Sequence, residues 1–369
     1  MTETPSTTIT PPNSHDLLDW YDVQARRLPW RIAPDDSKQG VLPDPYHVWL
    51  SEIMLQQTTV AAVKAYYEKF ITIWPKVTDL AAADQEDVMK AWAGLGYYSR
   101  ARNLHKCAQL IINDYNGTFP ETAAELVKLP GVGAYTSAAI ASIAFREPVA
   151  VVDGNVERVF TRLFAIDTPL PAAKEDVRER KQVVLPIQRP GDFAQAVMDL
   201  GATICTPKRP ACALCCWNSN CQAFAEHDPE HFPVKAPKKT KPTRKGAAFV
   251  LLNQKGAVWL EKRGPSGLLA SMTQIPTTDW NSNQDGGTNS AETPIGKDLE
   301  WTHKGMARHT FTHFHLELEI YQAVTEAADK LSNGWWCEQA DLKEEALPTV
   351  MKKAIRTALP DAFKASSPQ

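Results

Sequence analysis

PETAAELVKLPGVGAYTSAAIASIAF, residues 120–145, decides how the N-terminal region is read. PETAAELVKL predicts a helix, LPGVG a tight glycine turn, and TSAAIASIAF a second helix whose Ala and Ser allow close packing. Gly131 and Gly133 let backbone approach another group closely. Peptide N–H groups opening the second helix favour an anion, and a DNA phosphate contacted without regard to sequence suits them. A glycine pair between helices is usually an ordinary turn, but the complete Leu-Pro-Gly-Val-Gly string is more specific. Working outward, residues 47–75 carry Val48, Leu55, Val63, Tyr67 and Phe70 at helical spacing. RIAPDDSKQGVLPDPY (31–46) is a loop rich in Pro and Asp.

Beyond residue 225 the texture changes. KAPKKTKPTRK (235–245) has six basic residues and no acidic one, and its prolines make it a solvated linker. AAFVLLN, QKG and AVWLEKR then predict a β-hairpin. Residues 280–298 form a polar loop, FHLELEIY (314–321) alternates as a half-buried strand, and PTVMKKAIRTAL (348–359) predicts a closing helix. The expected organisation is a tail (1–14), a mostly α region (15–225), a basic linker (226–245), a smaller α+β domain (246–362) and a tail (363–369). No internal repeat is present.

With 369 residues, two domains are expected. A hydrophobic content of 43% supports packed cores. The net charge of −3 provides no global basic field, so any nucleic-acid affinity must come from local patches. Residues 1–14 lack the basic and apolar runs of a signal peptide, and no eighteen-residue apolar run predicts a membrane span. A cytoplasmic location is expected.

Four of the seven cysteines form Cys205-x6-Cys212-x2-Cys215-x5-Cys221. Without an export signal this pattern favours metal or cluster binding over disulfides. Four thiolates on so short a segment suit an iron–sulfur centre. A structural zinc site is the competing reading, although zinc ribbons usually pair two knuckles across a longer gap. Cys216, beside Cys215, could replace it as ligand. Cys107 and Cys337 read as buried apolar residues.

Two carboxylates complete the candidate chemistry. Glu52 lies in the apolar string VWLSEIML, where burial would raise its pKa and make it a proton donor. Asp153 follows an apolar run and precedes GNVERV; by itself it reads as a helix N-cap. Hydrolysis of an N-glycosidic bond needs an acid to protonate the departing base and a carboxylate to stabilise an oxocarbenium-like sugar. Glu52 and Asp153 could fill those roles if the fold brings them together.

LDWYD, LPWR, VWLSEIMLQQT, GLGYYSRARNLHK, LPGVGAYT, VVDGNVERV, MDLGATIC with its cysteines, and RHTFTHFHLE together resemble the MutY-type adenine DNA glycosylases. These form a branch of the helix-hairpin-helix superfamily that includes endonuclease III. The resemblance implies a helix-hairpin-helix glycosylase region with an iron–sulfur loop, and a Nudix-like C-terminal domain. It implies a 4Fe–4S cluster on Cys205, Cys212, Cys215 and Cys221, choosing Cys215 over Cys216. It implies a monomer that excises adenine opposite 8-oxoguanine, or more weakly guanine, from duplex DNA after flipping the base. Glu52 would protonate N7 of the adenine and Asp153 would stabilise the sugar. Tyr135 and Asn155 would support the pocket, with Leu28 and Arg31 near the adenine. Gln57 would wedge into the duplex and Tyr97 would intercalate beside the lesion.

Bifunctional relatives carry a lysine where this chain has Tyr135, so a monofunctional enzyme is expected. The C-terminal region lacks the string G-x5-E-x7-R-E-x-x-E-E of a working nucleotide hydrolase, which makes it a recognition module. The family's Phe-Ser-His loop appears as Phe311-Thr312-His313, although Thr312 could simply begin a strand. The 31–46 loop is longer than usual for the family, and GLLASMTQIP (267–276) departs from its Gly- and aromatic-rich pattern. The rival readings are an endonuclease III-like glycosylase/lyase, a non-enzymatic iron–sulfur DNA-binding protein and a zinc-stabilised DNA-binding module.

Overall fold

The computed structural model describes residues 11–226, 228–237, 240–280, 294–295, 298–326, 331 and 333–363. Most of both expected tails and most of the predicted polar loop lie outside this set. The chain forms two compact units, one of Met1–Ala82 with Asn103–Lys238, the other of Ala83–Arg102 with Lys239–Gln369.

The first unit is helical. Residues 47–75 form two helices, Pro45–Leu55 and Val60–Ile73, where the spacing suggested continuity. The break falls at Gln56–Gln57, with Gln57 at φ 60°. Thr59 then caps the second helix by accepting from the Ala62 N–H. Periodicity in apolar residues records which face is buried and passes through such a break unchanged. The predicted loop 31–46 contains a short helix, Pro34–Lys38, with Pro at its first turn. PETAAELVKL yields only the four-residue helix Ala123–Leu126.

The Ala134–Phe145 helix forms as expected, and residues Thr136 through Ala144 are all buried. Gly131 sits at φ +78°, and an added Cβ there would come within 2.8 Å of the Asn103 Cβ, so both dihedral and space require glycine. Gly133 is the N-cap, and no side chain caps that end. Its neighbour the Pro45–Leu55 helix is buried over seven consecutive residues, Val48 to Met54, which include Ser51, Glu52 and the fully enclosed Trp49.

The second unit is built on a six-stranded sheet: β1 (Thr243–Asn253), β2 (Val258–Lys262), β3 (Thr273–Gln274), β4 (Thr302–Thr310), β5 (His315–Thr325) and β6 (Gly334–Cys337). The strand order is β3-β2-β1-β5-β4, with β6 also on β2. The predicted hairpin is β1–β2, and β1 pairs in parallel with β5 over eleven residues. Leu316, Leu318 and Ile320 point into the core while Glu317 and Glu319 face outward, the alternation read from the sequence. The Thr349–Ala358 helix closes this core with Val350, Met351, Ala354 and Ile355. Among the described residues no helix is long and apolar enough to cross a membrane.

Candidate active site

A cleft of about 430 Å³ opens in the helical unit, lined by Leu28, Arg31, Glu52, Gln57, Tyr135, Asp153 and Asn155 among others. Seven residues singled out from the sequence therefore meet in one place. Gly131, Gly133 and Tyr97 do not line it.

Glu52 projects from the last turn of the Pro45–Leu55 helix and is only 6% exposed. The Tyr135 hydroxyl, from the first turn of the Ala134–Phe145 helix, donates to Glu52 Oε2 at 2.8 Å. Burial pushes the Glu52 pKa up to about 7. The Tyr135 hydrogen bond opposes that rise, the Asp153 charge adds to it, and Arg31 opposes it more weakly. A carboxyl so placed holds a proton near neutrality and can give it away.

Asp153 is the N-cap of the Gly154–Leu163 helix, accepting from the Val156 N–H at 2.7 Å through Oδ1. Its other oxygen accepts from Asn155 Nδ2 at 2.9 Å. The capping role and the cleft position thus belong to the same side chain. The first oxygen anchors the helix end, and the rest of the carboxyl group borders the cleft.

A polar frame that no local pattern announces stands behind the cleft. Asp199, fully buried, accepts from the Arg26 backbone N–H at 2.9 Å, from Arg26 Nε at 2.7 Å and from the Arg31 guanidinium at 2.8 and 2.9 Å. This fixes the Leu28–Arg31 wall to the Pro190–Thr203 helix. Asp199 lies in the MDLGATIC string, but its partners are about 170 positions away, beyond the reach of spacing rules. Arg158 donates to the Asn155 Oδ1 at 2.8 Å, to the Gly201 carbonyl at 2.6 Å and to the Cys205 carbonyl at 2.7 Å. It links the start of the Asp153-capped helix to the first cysteine of the cysteine-rich loop.

In that loop, Cys212 interacts electrostatically with Cys205 and Cys215, and Cys221 with Cys205, Cys215 and Cys212. Burial pushes the Cys221 thiol up to about 11, opposed by a hydrogen bond with the Phe224 backbone and aided more weakly by these neighbours. Cys216 instead faces Cys215 and Asp16. Arg162, 1% exposed, donates to Cys205 Sγ at 3.4 Å and to the Thr206, Pro207 and Phe232 carbonyls. Four sulfurs near enough to influence one another, beside a buried cation, form a donor set suited to a positively charged, thiolate-bound centre. Among the described residues, no three His, Cys, Asp or Glu side chains converge as tightly as a single bare ion requires.

In the sheet unit, Phe311–His313 joins β4 to β5 in a tight turn in which the Phe311 N–H donates to the Phe314 carbonyl at 2.8 Å. Phe311 packs against Phe314 and His309, with ring centroids 4.8 and 4.6 Å apart. Thr312 and His313 are exposed, and β5 begins only at His315, so Thr312 belongs to the turn. Tyr97, at φ 47°, belongs to the same unit, and its hydroxyl lies 2.9 Å from Thr312 Oγ1. Two residues 215 positions apart thus share one surface.

Residues 50–186 match the model of the HhH-GPD superfamily base excision DNA repair proteins, and residues 247–357 match a NUDIX domain. The human adenine DNA glycosylase is 35% identical over 402 aligned residues, covering 92% of this chain and 72% of its own length. The chain belongs to the adenine DNA glycosylase family. The fission yeast (Schizosaccharomyces pombe) adenine DNA glycosylase is 31% identical, covering 93% of this chain and 88% of the relative. Among solved structures, a thermostable thymine-DNA glycosylase is 29% identical with a TM-score of 0.50, covering 58% of this chain and 95% of that one. The cleft sets a buried carboxyl that holds a proton near neutrality beside a second carboxylate.

Proposed function

We propose that this enzyme hydrolyses the N-glycosidic bond of adenine paired with 8-oxoguanine, and more weakly with guanine, in duplex DNA, acting as a monofunctional monomer. The observation that carries the proposal is the Tyr135-held, buried Glu52 sharing one cleft with Asp153. The adenine leaves the base stack and enters this cleft. Glu52 gives its proton to N7, the C1′–N9 bond breaks, and the bonding electron pair goes to the base. Asp153 offsets the positive charge that develops on the sugar. Water then adds its hydroxyl to C1′ and returns a proton to the Glu52 carboxylate.

Monofunctional action rests on Tyr135, whose phenol cannot form the Schiff base that a lysine would. For recognition, the exposed Thr312 hydroxyl and the neighbouring Tyr97 ring offer a hydrogen bond and a stacking face to 8-oxoguanine. Gln57 would wedge into the duplex, and the uncapped helix start at Gly131–Gly133 would take a phosphate. Cys205, Cys212, Cys215 and Cys221 would hold a 4Fe–4S cluster. When bound, it supplies thiolate–iron bonds that fix the loop's shape. Arg158 and Arg162 tie that loop to the helix that Asp153 caps.

Single-turnover excision on duplexes with A opposite 8-oxoguanine, G, C or T tests the proposal. Fastest release opposite 8-oxoguanine is expected, and equal rates on all four would refute it. Efficient borohydride trapping on abasic DNA would refute the monofunctional part.

A further inference from the structure

One buried cation has no part in the chemistry above. Lys181 lies on the Lys174–Val184 helix and is 0% exposed. Its Nζ donates to the Val151 carbonyl, two residues before Asp153, and lies 5.8 Å from the centre of the Phe193 ring. A buried ammonium is costly unless paired and hydrogen-bonded. The charge that acts on it is that of Asp153, whose attraction partly offsets the burial that pulls Lys181 down to about 7. Other charges on the packed helices are paired elsewhere: Glu157 with Lys174, Asp192 with Arg189, and Asp199 with Arg26 and Arg31. Asp153 itself faces Glu52, Tyr135 and Arg158 as well as Lys181. Lys181 does not line the cleft, so it reaches neither the sugar nor the base.

We propose that Lys181 is a positioning residue for Asp153: its hydrogen bond fixes the backbone that enters Asp153, and its buried positive charge holds that carboxylate in place. A purely apolar space-filler would serve packing better at this position, because burying an amine weakens a core. Lys181 stays out of the cleft that Asp153 borders, so it does not compete with the sugar there. This rests on the assignment of Asp153 to the sugar cation.

The consequence is a distinctive pH profile. Two groups then titrate near pH 7: Glu52 loses the proton it donates, and Lys181 loses the charge that steadies Asp153. Above pH 7 the single-turnover rate of the full-length enzyme on A:8-oxoguanine duplex should fall more steeply than the tenfold per pH unit of one ionisation. Lys181→Met keeps length and loses both hydrogen bond and charge. It should excise at least tenfold more slowly at pH 6, bind a duplex carrying a non-cleavable adenine analogue within about twofold of wild type, and show only a tenfold-per-unit alkaline limb. A Lys181→Met enzyme with the wild-type rate at pH 6 would overturn the proposal, whatever its Tm. If the variant does not fold, the wild-type profile decides: a limb no steeper than tenfold per unit overturns the proposal and a steeper one supports it. A wild-type enzyme that released no adenine would instead count against the assigned reaction, so the two failures are distinguishable.

Discussion

The cleft of the helical unit and the Phe311–His313 turn of the sheet unit present polar groups in opposite environments. Glu52 is 6% exposed and owes its proton to burial. Thr312 is exposed and contributes a hydroxyl whose partner in the chain is the Tyr97 phenol. Burial changes what a carboxyl can do chemically, by several pKa units at its strongest. Exposure leaves a hydroxyl as one hydrogen-bonding group among many, worth about 1 kcal/mol. Chemistry should therefore fail abruptly when the cleft is altered, and selectivity should degrade gradually when the turn is altered.

One sharp break in that contrast is Asp153→Asn. Asparagine caps helices as well as aspartate does, so the Gly154–Leu163 helix should persist, with Tm lowered only by the loss of the charge that offsets buried Lys181. The charge proposed to face the sugar would be gone, and excision should slow by roughly 10²–10³-fold. Single-turnover rates beside a melting curve separate the two roles of one side chain.

That double role marks how far the sequence could be read. VWLSEIML made the burial of Glu52 visible, and the strict alternation of FHLELEIY made β5 visible, because both depend on local pattern. The end of the Pro45–Leu55 helix was hidden, because Gln57 adopts a positive φ that no glycine announces. The Asp199 pairing with Arg26 and Arg31 was hidden because it joins distant segments. Membership of Ala83–Arg102 in the unit containing the sheet was hidden for the same reason. Lys181 had a usable signal that went unused: Val177, Lys181 and Val184 fall on one helical face, placing the lysine within an apolar stripe.

A second break concerns the glycine turn. Gly131→Ala forces a Cβ onto a φ of +78° and into the Asn103 Cβ. It should cost about 1–3 kcal/mol, read as a Tm lower by several degrees. A smaller change sharpens the picture of the cleft. Tyr135→Phe removes a donor that favours the charged form of Glu52, so the Glu52 pKa should move above about 7. The protonated, active form would then persist to higher pH, and the alkaline limb of the excision profile should shift upward.

The smallest effect is expected in the exposed turn. Thr312→Val keeps the shape and removes the hydroxyl. The preference for A:8-oxoguanine over A:G should shrink about fivefold to tenfold, corresponding to one modest hydrogen bond, while the A:G rate stays close to wild type. Parallel excision time courses on the two duplexes check this.

The proposed chemistry turns on the proton that Glu52 supplies. Glu52→Gln is nearly isosteric and keeps an acceptor for Tyr135, but it has no acidic proton to give. Single-turnover excision from A:8-oxoguanine duplex, with binding measured on the same samples, is the most direct test. The rate should fall at least about 10³-fold, with binding within a few-fold of wild type. A Glu52→Gln enzyme that released adenine within tenfold of the wild-type rate would contradict this chemistry.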